Sequence, residues 1–233
     1  MAQPILPGVY IEVRPEALIV PGPVTVGNIG IVGTARMGPV NEAQVIGSYA
    51  EARETYGSYD ALDDPDTPLN PFTLVRALEL AYSNGASTVL AVRAASSSVK
   101  AAAPSGADLG ANATIFSIEA ITPGVWGNDI FIKIEDAAPN VKVTLKYKTI
   151  EEVYLVQKGS ELVDKINLDS VLAAAKKGAD AANKPVVITE KQFAGGNDGA
   201  DAAESDYKTG LEALLNENAH IILAVVQRDA LNV

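Results

Sequence analysis

The chain has 233 residues, 48% of them hydrophobic, with a formal net charge of −11 and no cysteine. This is enough apolar material for one large domain or two small ones, and it marks a folded chain rather than a disordered one. The acidic balance excludes binding modes that work by neutralising nucleic-acid or lipid phosphates, and the lack of cysteine excludes disulfides and thiolate metal sites.

Residues 1–23 carry prolines at positions 4, 7, 15, 21 and 23 around a short β-prone stretch, GVYIEV. Fixed φ angles and missing N–H donors rule out a helix there, and the apolar content is too low for the segment to fold alone. It reads as an extended arm suited to adding a strand to another sheet, with Pro7, Gly8, Val9, Tyr10 and Ile11 as the contact residues. No basic stretch followed by an apolar run opens the chain, so no secretory signal is expected and the protein is expected to be made and kept in the cytoplasm.

Next come three nearly continuous apolar runs separated by helical patterns: IGIV from Ile29, STVLAV from Ser87 and IILAVV from Ile221. Such runs predict strands buried on both faces of a parallel sheet, and they are far shorter than the roughly 20 residues of a membrane-spanning helix. Ser48 with Glu51 predicts a capped helix over 49–56. Asn70 and Pro71 predict the start of a second helix, which Asn84 and Gly85 end, with Leu74, Leu78, Ala81 and Tyr82 on its inner face. A third helix is predicted over 205–216, with Tyr207, Leu211, Leu214 and Leu215 together.

Residues 94–113 are small and aperiodic and read as a linker. Beyond them the period changes to two. Ile130, Ile132 and Ile134, then Val141, Val143, Leu145 and Tyr147, alternate with polar residues as in antiparallel strands with one wet face. Further strands are predicted at 115–120 and 152–157, and helices over SELVDKIN and LDSVLAAAKKG. All six arginines lie outside 94–227, whereas every lysine lies at or after Lys100. The expected organisation is therefore an arm (1–23), a discontinuous α/β core (24–103 and 191–233) and an inserted β-rich outer domain (104–190). In fold class this is α/β, α+β overall, with a small mostly parallel sheet and flanking helices. The arginine-bearing core is expected to make subunit contacts.

No catalytic constellation emerges. His220 is the only histidine and opens an apolar strand, so no metal or cofactor is expected. Gly27, Gly30 and Gly33 lie before and within a strand rather than in the turn after it, where a dinucleotide fingerprint would need them. GGNDG, with Gly195, Gly196 and Gly199, lacks the ending of a phosphate loop and reads as a tight turn. The acidic run Asp60, Asp63, Asp64 and Asp66 has no calcium-loop spacing, and Ser96, Ser97 and Ser98 have no activating base nearby.

Five short segments in order resemble the tail sheath family of contractile phages, bacteriocins and injection systems. They are PGVYIEV (7–13), GIVGTARMGPVNE (30–42), ALELAYSNGASTVLAVR (77–93), TPGVWGNDIFIKI (122–134) and GGNDG with its following helix and strand (195–225). The most specific is the Pro-Gly, Trp-Gly-Asn signature of Pro123, Gly124, Trp126, Gly127 and Asn128. The resemblance implies a non-enzymatic subunit of a helical homo-oligomer around an inner tail tube, in contact with a baseplate and tail terminator. It implies no cofactor, no nucleic acid and no membrane insertion, in a virion tail or contractile particle assembled in the bacterial cytoplasm. Sheath proteins of this kind carry a further C-terminal domain, which implies either a chain shortened at Val233 or a missing partner segment. The competing readings are a small-molecule-binding or nucleotide-dependent α/β domain, and a sheath initiator or terminator that caps the filament.

Overall fold

In the computed structural model, which describes residues 28–58, 72–96 and 109–226, the apolar runs at 29 and 89 form β1 (Ile29–Gly33) and β3 (Val89–Arg93). They pair in parallel, and β10 (Ile221–Val225) pairs in parallel on the other side of β1. A short antiparallel strand, β2 (Ala43–Ile46), closes the far edge, giving the order β10-β1-β3-β2. β2 is not legible in the sequence, because four residues are too few to establish a period.

Alternation decides which helix each side chain meets. Ile31, Val89 and Ala91 face α1 (Tyr49–Tyr56) and α2 (Leu74–Ser83), packing with Ala52, Tyr56, Leu74 and Leu78. Val32, Leu90 and Val92 face the other way, toward Tyr207 and Leu214 at α4 (Glu204–Glu212) and the turn after it. Helices on both faces explain why β1 and β3 are apolar without alternation. Two glycines let those helices come close. A Cβ on Gly33 would sit 3.0 Å from the backbone of Leu74, and one on Gly30 would sit 2.9 Å from Leu214.

The helix ends follow the predicted chemistry with one adjustment. Ser48 Oγ accepts from Glu51 N at 3.2 Å, but the Glu51 carboxylate reaches one residue further back, to Gly47 N at 2.8 Å. α2 ends at Asn84 with Gly85 at φ 91°. Its expected start at Asn70 and Pro71 lies outside the described residues, and Thr73 is its N-cap. The Thr73 hydroxyl donates to Val225 O at 2.5 Å and accepts from Thr34 N at 3.2 Å, tying the ends of β10, β1 and α2 together.

One expectation for this sheet fails. β10 is not buried on both faces: Ile221, Ile222 and Leu223 are 53%, 43% and 47% exposed. Leu215, assigned to the inner face of the third helix, is also exposed. The helix ends at Glu212, and the turn that follows carries Leu214 inward and Leu215 outward. An apolar run specifies a strand; its burial depends on what lies beside it, and β10 stands at the edge.

The middle of the chain builds sheets of its own. β5 (Phe131–Ala137), β6 (Asn140–Tyr147) and β7 (Ile150–Val156) form an antiparallel meander. β9 (Ile188–Gln192) adds to β5, and β4 (Phe116–Ala120) pairs with β8 (Ala173–Lys177). With α3 (Gly159–Asp169) they enclose a core of Ile132, Ile134, Val143, Leu145, Leu162 and Ile166. Residues 173–177, read as helical, are a strand, since β4 offers a pairing partner that outweighs alanine's helix propensity. The end of the expected linker, 110–114, is a 3-10 turn whose Asn112 is buried.

Three asparagines hold this unit together in the same way, each using its amide to pair with one backbone residue as a neighbouring strand would. Asn112 bonds Val186 at 2.9 and 2.7 Å, Asn128 bonds Gly196 at 3.0 and 2.8 Å, and Asn167 bonds Ala175 at 2.9 Å both ways. Among the described residues, no helix is long and apolar enough to cross a membrane.

Candidate functional site

The sequence signatures converge at the neck where the chain leaves the α/β sheet and returns to it. Pro123, Gly124, Trp126, Gly127 and Asn128 lie in and before a 3-10 turn over Val125–Asp129. Gly195, Gly196 and Gly199 lie in the return segment, with φ of 85° at Gly195 and 87° at Gly199. The two segments bond directly, through the Asn128 amide to Gly196 and through Val125 N to Asp198 Oδ1 at 2.8 Å. Gly124 adopts φ 142° and ψ 163°, a region almost exclusive to glycine. A Cβ there would stand 2.5 Å from the carbonyl oxygen of Arg36.

Arg93 is the centre of this junction. It closes β3 and has no exposed surface. Its Nη1 donates to Gly38 O at 2.9 Å and to Pro123 O at 2.7 Å, so one guanidinium nitrogen joins the loop after β1 to the signature turn. Gly38 N also donates to Thr122 Oγ1 at 3.2 Å. Burial lowers the Arg93 pKa to about 10, opposed by the nearby Asp198 carboxylate, so the group remains a cation at neutral pH. Arg93 Nε and Nη2 have no hydrogen-bond partner among the described residues. Sequence reading missed this role, although an arginine closing a wholly apolar strand was its signal.

In the same signature turn, Trp126 is 3% exposed and meets Tyr147 edge-on, with ring centroids 5.4 Å apart and planes at 81°. Met37, from the loop after β1, packs against the same core. Replacing Asn128 by alanine, which leaves the Gly196 N–H and C=O without their side-chain partner, is expected to cost about 1–3 kcal/mol of stability in a urea titration.

The places where small-molecule chemistry would reside offer little. A cleft of about 210 Å³ at the carboxyl ends of β1 and β3 is lined by Thr34, Ala35, Ala94, Asp198 and Asp201. This is where open α/β sheets hold ligands, but two aspartates make it unsuited to phosphate. Among the described residues, no three His, Cys, Asp or Glu side chains gather to hold a metal. His220 is exposed, and its backbone N–H bonds Asn28 O at 2.8 Å. Ser96 Oγ accepts from Ala200 N at 3.2 Å. Asp60, Asp63, Asp64 and Asp66, Ser97 and Ser98, Gly27, and the arm residues Pro7, Gly8, Val9, Tyr10 and Ile11 lie outside the described residues.

No family model matches the chain. Comparison with curated proteins likewise gives no match. Solved structures do match. The sheath tail protein of Listeria innocua superposes with a TM-score of 0.59 at 22% identity, over 84% of this chain and 39% of that one. The sheath tail protein of Desulfitobacterium hafniense superposes with a TM-score of 0.60 at 16% identity, over 92% of this chain and 45% of that one. The chain thus spans less than half the length of either protein. Over the stretch it shares with them, it has the fold of a tail sheath protein.

Proposed function

We propose that the chain is a structural, non-enzymatic subunit of a contractile tail sheath. In this reading, copies polymerise helically around an inner tube, assembled in the bacterial cytoplasm and bounded by a baseplate and a terminator, and contract to drive the tube through a target envelope. The observation that carries the reading is the fold shared with two sheath tail proteins over 84% and 92% of the chain. The composition supports it from another side: a net charge of −11 suits protein partners better than nucleic acid.

Energetically, such a machine needs subunit contacts that do not close on themselves, because only a heterologous contact propagates as a helix. The arm supplies a candidate for that contact, with Pro7, Gly8, Val9, Tyr10 and Ile11 as the residues that engage a neighbour. Deleting residues 1–23 is expected to abolish assembly. The check is negative-stain microscopy of the concentrated full-length native protein, where tubes of uniform diameter are expected with residues 1–23 present and none without them. A full-length native protein that stays monomeric overturns the reading.

A further inference from the structure

Asn84 closes α2 and is the one asparagine in the chain that glycine follows. Its side-chain Nδ2 donates to Leu80 O at 2.7 Å, and its backbone N–H donates to the same oxygen at 3.1 Å. Gly85 N donates to Tyr82 O at 3.1 Å and Ala86 N to Ala81 O at 3.0 Å, completing the turn. Asn84 and Gly85 are both exposed, and a Cβ on Gly85 would meet no heavy atom within 4 Å among the described residues. All of these bonds belong to the last turn of a helix, where local opening requires the least free energy. When that turn opens, the Gly85 nitrogen is released beside the Asn84 amide carbon. Gly85 has no side chain to hinder the approach, and water enters freely.

We propose that Asn84–Gly85 is a self-modifying site, at which the Asn84 amide is lost through a cyclic imide with water as the only co-reactant. The Gly85 nitrogen gives up its proton and bonds to Asn84 Cγ; the Cγ–Nδ2 bond breaks, and ammonia departs with that proton. Water then opens the ring at one of its two carbonyls. Opening at Cγ leaves aspartate, and opening at the main-chain carbonyl leaves isoaspartate, with one methylene added to the backbone. Water is consumed, ammonia is released and no electrons are exchanged. Either product carries an acceptor-only carboxylate in place of the amide that donated to Leu80 O, at the negative end of the helix dipole. α2 packs Leu74 and Leu78 onto the sheet, and its Tyr82 hydroxyl donates to Ile46 O of β2 at 2.7 Å, so loosening its end reaches the sheet's edge. The site lies beyond the sheath reading and does not rest on it.

The test is incubation of the full-length folded protein at mildly alkaline pH, followed by trypsin digestion and mass spectrometry. Arg76 and Arg93 bound a peptide, 77–93, that contains Asn84 and no other asparagine. It is expected to gain one mass unit and to split into two chromatographic forms, one of them a substrate for isoaspartyl methyltransferase. This change is expected before any in the peptides carrying Asn112, Asn128 or Asn167, whose amides pair with distant backbone on both sides. Asn84→Gln keeps the amide but requires a larger ring, and it is expected to keep the fold and stop the change. Asn84→Asp supplies the charge without the added methylene and is expected to lower the thermal midpoint by about 2–4 °C, the shift that losing one cap interaction gives in a chain of this size. A peptide 77–93 that stays unchanged in the folded protein over a period that converts it fully in urea overturns the proposal, because the cap then protects the site. Conversion of Asn112, Asn128 or Asn167 at an equal rate, or a mass gain in 77–93 that persists in Asn84→Gln, also overturns it. An Asn84→Asp variant with an unaltered midpoint overturns the effect on α2.

Discussion

Replacing Arg93 by alanine is expected to lower the unfolding free energy by about 3–5 kcal/mol, the combined cost of a large-to-small change in a buried site and of two carbonyls left without their donor. The side chain has no exposed surface, and its Nη1 is shared between Gly38 O and Pro123 O. Alanine leaves a void and two carbonyls without their donor, at the point where the α/β sheet meets the β-rich unit. Lysine is expected to rescue little, since a compact ammonium on a flexible stem does not reproduce a planar fork. Methionine separates the two contributions, because it fills the volume without donating. The measurement is a urea titration followed by two probes. Trp126 is the only tryptophan and sits at the neck, so its fluorescence reports the junction while far-UV circular dichroism reports the whole chain. In the Arg93→Ala variant the two transitions are expected to separate, with fluorescence changing first. A loss within the scatter of surface substitutions, about 0.5 kcal/mol, would mean that backbone contacts hold the neck without the guanidinium.

The contrast between what was legible and what was not follows the range of the interactions. Periodicity over Ile130–Tyr147 identified β5 and β6, and Ser48 with Glu51 placed α1, because both signals lie within one element. Residues 173–177 were misread because their conformation is set by β4, more than fifty residues earlier. β10 was read correctly as a strand and wrongly as buried, since composition records what a strand tolerates rather than what covers it. At the neck, Pro123–Asn128 and Gly195–Gly199 were singled out separately. Their meeting through Asn128 and Gly196, and the guanidinium behind them, are long-range facts that neither local spacing nor propensity encodes. Arginine usage had a consequence within the chain as well: Arg93 is buried and joins the loop after β1 to the signature turn.

Truncating Trp126 to alanine is expected to cost about 3–5 kcal/mol, comparable to Arg93→Ala but for a different reason. The indole is almost fully buried and stacks edge-on against Tyr147, so its contribution is packing plus one aromatic pair. Its Nε1 has no hydrogen-bond partner among the described residues, so a phenyl ring breaks no bond seen among them. Phenylalanine should therefore retain most of the stability, with a loss of less than about 1.5 kcal/mol as for other tolerated apolar exchanges. Because the fluorophore is removed, thermal unfolding followed by far-UV circular dichroism is the appropriate measurement. If Trp126→Phe proves as damaging as Trp126→Ala, the N–H has a partner that only appears in the assembled state or in the dynamic ensemble, and the signature tryptophan is a polar contact rather than a wedge. If phenylalanine is tolerated while alanine is not, the neck is held by two independent devices, an aromatic wedge on the β-rich side and a guanidinium bridge on the α/β side. A double variant should then lose close to the sum of the single losses unless the two side chains share the cavity each leaves behind.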